Sequence, residues 1–195
     1  MSNNNGKIDT RDLILESAKK IFAHEGFHET SMAAIAREAG LGKGTLYWHF
    51  SGKQELFKEL IKEEGERLVT EIHKLNQKEI RADKKIQEFI KIRFKRISHF
   101  KDNTLIFWNN ENFINQEFME ELLKIRRSIV KELQDIIQKG IDENIFRIDT
   151  PEITAITIMG AVNSTSISLF LNNYDVKKME EDTYNIIIKG IEKSK

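Results

Sequence analysis

The stretch from Thr30 to Phe57, TSMAAIAREAGLGKGTLYWHFSGKQELF, gathers more mutually dependent helix signals than any other part of the chain. Thr30 and Ser31 offer side-chain oxygens to the free backbone N–H groups of a new helix, on which Ile35, Ala36 and Ala39 fall to one side. Gly40 stops that helix, because a residue without Cβ enters the left-handed conformation at a helix end without a clash, and Leu41 follows as an apolar plug. A second short helix is expected from about Lys43 to Phe50. Its Leu46 and Phe50 face inward, which leaves Lys43, Thr45, Tyr47, Trp48 and His49 on the outer surface. Two short helices joined by a glycine-containing turn make a helix-turn-helix, in which the second helix enters the DNA major groove and the first braces it across the backbone.

The run from Gly26 to Phe57 also resembles the N-terminal signature of the TetR (tetracycline-repressor-like) family of transcriptional regulators. The resemblance rests on Gly26-Phe27, Thr30, Ile35-Ala36, Ala39-Gly40, Gly44-Thr45-Leu46-Tyr47, His49-Phe50, Lys53 and Leu56-Phe57. One departure is Gly42, where the family usually has a serine capping the recognition helix. Glycine at that position costs only a few tenths of a kcal/mol, about the difference between two good caps. The resemblance implies that Tyr47, His49 and Lys53 contact phosphates with Ser31 as a further candidate, and that base reading falls to Lys43, Thr45 and Trp48. The chemistry agrees. Lysine donates to guanine O6 and N7, a threonine methyl or an indole edge meets a thymine methyl, and Gly44 lets the backbone approach the groove. Taken singly, each residue also has a plainer reading: Lys43 as a solvated lysine, Tyr47 as half-buried packing, His49 as a surface imidazole, and Trp48 as a residue packed on the neighbouring helix.

The chain has 195 residues, 39% hydrophobic content and no Cys, so it can bury a real core and excludes disulfides, thiolate zinc sites and cysteine nucleophiles. It lacks a basic-then-apolar leader and any run near the roughly 18 apolar residues of a membrane span, so a soluble, cytoplasmic protein without membrane association is expected. Net charge is zero, and residues 1–62 hold 9 basic against 8 acidic side chains. Any basic patch must therefore come from geometry, with Lys43, His49 and Lys53 at one edge and helix N-termini aimed at phosphates. Modest non-specific DNA affinity follows.

In chain order, residues 1–8 read as a polar arm, and Thr10 to Glu25 as a packing helix through Ile14, Ala18, Ile21 and Phe22. His24-Glu25-Gly26-Phe27-His28 spells the zinc-protease string H-E-x-x-H, but Gly26 stands where the helix should stop, so the two histidines should diverge. Gly40-Leu41-Gly42-Lys43-Gly44-Thr45 resembles a phosphate loop, yet Gly44 separates Lys43 from Thr45 and a helix precedes it. No metal site and no cofactor are expected. From Lys53 to about Leu75 a helix carries Leu56, Phe57, Leu60, Ile61, Leu68 and Ile72 on one side. At about 1.5 Å per residue it is a rod of about 30 Å, long enough to carry a tilt from a distant pocket to the DNA-reading unit.

From about residue 80 onward the pattern is helical throughout. Asp83 to Phe100, a short aromatic piece from Thr104 to Asn110, and Asn115 to about Asp142 follow one another. The segment LIFWNNENF, Leu105 to Phe113, concentrates aromatics and amides. It reads as core packing plus a turn, or as a pocket wall with Phe89, Phe107, Trp108 and Phe113 as the ligand-binding candidates. Thr150-Pro151-Glu152 is a clean helix start, with proline at the first helical position. The helix it opens runs to about Asn172 and carries no charge after Glu152, so it is buried on more than one side. A last helix is expected from Thr183 to Ile191. These two helices read on their pattern as monomer core, but in the family the last two helices form a four-helix interface with a second copy, which assigns Ile156, Gly160, Ser164, Ile167, Leu171, Tyr184 and Ile187 to a homodimer contact. A dimer would hold its recognition helices about 34 Å, one DNA turn, or a multiple apart, on a near-palindromic operator.

The expected fold is all-α, with about nine helices. A three-helix helix-turn-helix domain over 1–57, followed by a helix that starts at Lys53 and continues as a linker to about 75, joins a helical bundle for ligand binding and dimerisation over 58–195. The expected function is a sequence-specific transcriptional regulator, a repressor that a small apolar or amphipathic effector releases from double-stranded operator DNA. The repressor sign comes from the family's habit, and a ligand-responsive activator fits the same residues. An enzyme lacks paired acid-base groups at recognisable spacing here, and a helical adaptor would show no sequence preference on DNA.

Overall fold

The computed structural model describes residues 9–99, 115–171 and 174–192, without the side chains of 97–99, 166–167 and 169–171. The described residues form eight helices, with extended pairing limited to one bridge between Phe146 and Glu192. They fall into two compact units. The first holds the described residues of Met1–Glu63 and Asp102–Phe118, the second those of Glu64–Lys101 and Met119–Lys195. The short piece expected over Thr104 to Asn110 lies outside the described residues.

In the first unit, Asp9 caps α1 (Thr10–Glu25) by accepting from the Arg11 amide at 3.0 Å. The helix ends at Gly26, whose φ of +79° turns the chain sharply and leaves His24 inside the helix and His28 beyond it. The H-E-x-x-H string therefore does not put its histidines on one helical turn. Ser31 Oγ accepts from the Ala34 amide at 3.1 Å and opens α2 (Met32–Glu38). The turn after α2 is a full Schellman motif, in which the Gly40 amide donates to the Arg37 carbonyl at 3.1 Å and the Leu41 amide to Ala36 at 2.9 Å. Gly40 stands at φ +64°, the conformation that glycine reaches without strain. α3 (Lys43–His49) starts at Gly42 without a side-chain cap, and Leu46 and Phe50 are buried beneath it. α4 (Lys53–Asn76) gives its residues up to Glu63 to this unit, where Leu56, Phe57 and Leu60 are buried.

The second unit contains the rest of α4, α5 (Ala82–His99), α6 (Gln116–Asp142) from Met119 onward, α7 (Pro151–Leu171) and α8 (Val176–Ile191). α5 packs against α7 and α8, and its Ile86, Phe89, Ile90 and Phe94 are wholly buried. Leu133, Ile136 and Ile137 of α6 and Ala155 and Val162 of α7 complete this core. α8 begins seven residues earlier than the sequence pattern places it, at Val176. Asp175 caps it by accepting from the Lys178 amide at 2.9 Å. Lys177, Lys178, Glu181 and Asp182 are exposed, so this first half carries little apolar periodicity to read. The Arg147 amide donates to the Ile191 carbonyl at 3.0 Å, pinning the end of α8 to the connection that follows α6.

Gly140 near the end of α6 is required by packing. A Cβ there would lie 2.3 Å from Cδ2 and 2.4 Å from Cε2 of the Phe146 ring and 2.9 Å from Ala82 Cβ. Gly140→Ala is expected to cost about 1–3 kcal/mol of stability, the usual range for overpacking, read as a lower urea midpoint at unchanged slope. A Gly140→Ala/Phe146→Leu pair should lose less than the two single changes sum to. Strict additivity would show that the ring is not what the methyl meets.

Candidate functional site

On α3 the inward anchors fix which residues look outward. With Leu46 and Phe50 buried, Lys43, Gly44 and Thr45 are exposed, Tyr47 is 53% exposed and Trp48 is 81% exposed. Trp48 thus points away from the neighbouring helices, although its ring meets His49 edge-on at 4.6 Å. His49 is half-buried and stacks at a tilt on Phe50 with centroids 6.4 Å apart. The space that a side chain at Gly44 would occupy is open, with nothing within 4 Å, so another surface has room to approach the backbone there. Ser31 is exposed at the start of α2. Its Oγ accepts from Ala34, which leaves its own O–H to donate.

Behind this face stands an aromatic cluster. Phe22 of α1, Phe27 of the α1–α2 connection and Phe57 of α4 meet with ring centroids 5.5, 5.6 and 4.9 Å apart. Lys53 closes the cluster, its Nζ lying 4.5 Å from the centroid of the Phe27 ring. The same ammonium donates to the carbonyls of Phe27 at 2.6 Å, His28 at 3.0 Å and Thr30 at 2.8 Å. Burial lowers its pKa from the ordinary lysine value, with Glu29 opposing the shift. All three N–H donors are engaged within the protein. A phosphate contact by Lys53 would have to replace one of these bonds.

The second unit contains a cavity of about 340 Å³. Leu68, Ile125, Ile129 and Met159 give it apolar walls, and Arg93, Asn163 and Arg126 supply the side-chain polar groups. Gly65 also lines it, and a Cβ there would press on the Ile125 side chain at 2.9 Å. Arg93 donates from Nη2 to Asn163 Oδ1 at 2.6 Å, whereas its Nε is sealed from solvent and has no hydrogen-bond partner among the described residues. Burial, with Arg96 nearby, lowers the Arg93 pKa to about 10.

Of the residues that the sequence assigns to ligand binding, Phe89 is fully buried in the core and does not line this cavity. Phe107, Trp108 and Phe113 lie outside the described residues. Arg93, Asn163, Gly65 and Met159 are cavity residues that sequence reasoning passed over. One signal was present: Arg93 sits a helical turn beyond Phe89 and Ile90, so a cation occupies a core position of α5. Among the residues assigned to a dimer contact, Gly160 and Ser164 are exposed, Ile156 and Tyr184 are half-buried, and Ile187 belongs to the unit's own core. The side chains of Ile167 and Leu171 are not among the described ones.

Two short helices joined by a glycine turn, with the second presenting exposed polar and aromatic side chains, define a helix-turn-helix DNA-binding regulator. Comparison with known proteins agrees. Residues 14–60 match the family model of bacterial regulatory proteins of the tetR family, and residues 79–167 match that of the tetracyclin repressor-like C-terminal domain. An HTH-type transcriptional regulator of Bacillus subtilis, YhgD, is 30% identical over 159 residues, covering 78% of this chain and 80% of that protein. The fatty acid metabolism regulator protein of Bacillus subtilis is 20% identical over 91% of this chain and 93% of its own. The crystal structure of FadR from Bacillus subtilis in complex with stearoyl-CoA has the same fold, with a TM-score of 0.74 and 20% identity over 92% of this chain and 98% of that one. The chain belongs to the TetR family of transcriptional regulators. Among the described residues, no helix is long and apolar enough to cross a membrane.

Lys53→Met removes three charge-assisted hydrogen bonds and is expected to lower stability by about 2 kcal/mol or more, measured by thermal unfolding. The slope of DNA affinity against salt should stay as in the wild type. A slope lowered by about 1 with stability intact would instead identify Lys53 as a phosphate ligand.

Proposed function

We propose that this regulator is a homodimeric repressor of a near-palindromic operator, released by a small apolar or amphipathic effector held in the cavity of the second unit. The observation that carries the reading is the outer face of α3, where Lys43, Thr45, Tyr47 and Trp48 are all exposed on a helix locked from beneath by Leu46 and Phe50. Lys43 and Thr45 stand at the N-terminal end, the end that reaches base edges in helix-turn-helix proteins. Trp48 offers an indole edge to thymine methyls, and Tyr47, His49 and Ser31 donate to phosphates on either side.

Exposed apolar and small residues in the second unit support the dimer. Ile153 of α7 is 59% exposed, and Thr157, Ala161 and Ser164 continue its side of the helix. Ile186 of α8 is 74% exposed. A second copy laid on these helices would cover side chains that otherwise face water. The effector reading is supported by the cavity's apolar walls, and by the acyl chain of the stearoyl-CoA bound to the similarly folded FadR of Bacillus subtilis. Such an effector acts only if it binds the released form of the dimer better than the DNA-bound form.

The test is binding to a duplex from the gene's own upstream region against a scrambled duplex, at two salt concentrations. The native duplex is expected to win by about a thousandfold, with affinity falling as salt rises. Lys43→Ala should relax sequence preference by about 1–3 kcal/mol at one base pair of each half-site. Tyr47→Phe should weaken all sequences alike. Equal weak binding to both duplexes, and to a random-sequence pool, would defeat the operator reading.

A further inference from the structure

The cavity of the second unit has a chemical polarity that narrows what it takes. Its walls are aliphatic, two arginines line it, and among the described residues no acidic one does. Arg126 is exposed at its rim. Arg93 lies deeper, where one amide oxygen, from Asn163, meets one of its nitrogens, and Nε meets no acceptor among the described residues. The neighbouring Arg96 is satisfied by Glu64 at 2.9 Å and Glu71 at 2.8 Å, so the second unit does supply carboxylates to α5, and among the described residues Arg93 has none. A guanidinium removed from water without an anion is strongly unfavourable, and so is a sealed N–H without an acceptor. A neutral acceptor entering the cavity would leave the charge unmet. An anionic oxygen placed on the guanidinium meets it.

We propose that the cavity binds an unesterified amphipathic carboxylate, with its aliphatic body between Leu68, Ile125, Ile129 and Met159 and its carboxylate on Arg93. This rests on reading the cavity as the effector site and deepens it by naming the head group and the residue that selects it. Asn163 is a positioning residue: its Oδ1 accepts from Nη2 at 2.6 Å and so fixes the guanidinium at the cavity wall. At about 340 Å³ the cavity is at the small end of the usual range of about 300–1,000 Å³, which favours a chain of medium length. A coenzyme A thioester places a neutral carbonyl at the head of its chain and carries its phosphates at the far end of the pantetheine arm, so it offers Arg93 no carboxylate there.

The proposal is tested by calorimetry of the full chain without DNA, using decanoate, decan-1-ol and decanoyl-CoA as probes. Wild-type protein should bind decanoate at least about tenfold more tightly than decan-1-ol, the margin of one charge-assisted hydrogen bond. Arg93→Met should abolish that margin while binding decan-1-ol at least as well, and Arg93→Lys should restore part of it. Since replacing a buried charge by an apolar side chain is often neutral for stability, the unliganded Arg93→Met protein is expected to melt no lower than wild type. Equal affinity of wild type for acid and alcohol would overturn the proposal. So would a decanoate affinity unchanged in Arg93→Met, or an Arg93-dependent preference for decanoyl-CoA over decanoate. Operator release is scored separately. Arg93-dependent decanoate binding that leaves operator binding untouched sustains this inference and refutes the effector role, whereas release by other compounds with no decanoate binding refutes this inference alone.

Discussion

A helix of seven residues does not hold itself together in water, and α3 has no more than that. It exists because tertiary burial holds it from one side: Leu46 and Phe50 are sunk into the first unit, and the Arg11 guanidinium lies 5.8 Å from the centroid of the Phe50 ring. The Gly40-Leu41 turn then sets the direction in which α3 leaves α2, with two of the orphan carbonyls at the end of α2, those of Ala36 and Arg37, met by the turn itself. Behind the turn, the Phe22, Phe27 and Phe57 rings join α1, the α1–α2 connection and α4, and Lys53 ties three carbonyls of that connection to the start of α4. A face that reads DNA must be positioned to within a fraction of a base step. Here that precision is delegated to apolar packing and one saturated ammonium.

The second unit handles its buried cations in two ways. Lys85 is fully buried, and its Nζ donates to the Asn76 carbonyl at 2.5 Å, at the C-terminus of α4 where carbonyls lack helical partners and the helix dipole is negative. Its charge completes a helix end. Arg93 completes nothing of the kind, since it sits among aliphatic side chains with one neutral partner among the described residues. Where a folded chain retains a cost of that kind, the compensation is to be sought in a bound state.

The local parts of this architecture were legible in the sequence because their causes are local. The Ser31 cap, the Gly26 and Gly40 stops and the Leu46 and Phe50 anchors each act within four residues, and each stands where the pattern puts it. Trp48 was ambiguous on periodicity alone, since an indole on a short helix fits either solvent or a neighbour, and only the packed unit decides. Lys53 shows the converse limit. A motif position suggests a phosphate contact, while its three carbonyl partners, 23 to 26 residues away in sequence, leave no local signal to read. The Arg93 cavity needs α4, α5, α6 and α7 together, and no single stretch of sequence carries it. The same limit applies to α8, whose first half is capped by Asp175 and sets only Met179 against the core before Thr183, too little apolar pattern to read.

The neutral charge of the chain bears on how such a regulator would work. A strongly basic protein gains most of its DNA affinity from counterion release, a term indifferent to sequence and to any ligand. With 31 basic and 31 acidic residues, this chain has little of that background, and under the function proposed above its operator affinity rests on Ser31, the few side chains of α3 and their correct placement. Affinity built that way is sensitive to position. A coupling free energy of about 1–3 kcal/mol, the usual allosteric range, changes binding about 5- to 150-fold, and little non-specific attraction remains to hold a displaced dimer on the DNA. Under the function proposed above, near-neutrality and a small effector cavity belong together: the weaker the field around the reading head, the less differential binding a ligand must supply to clear the operator.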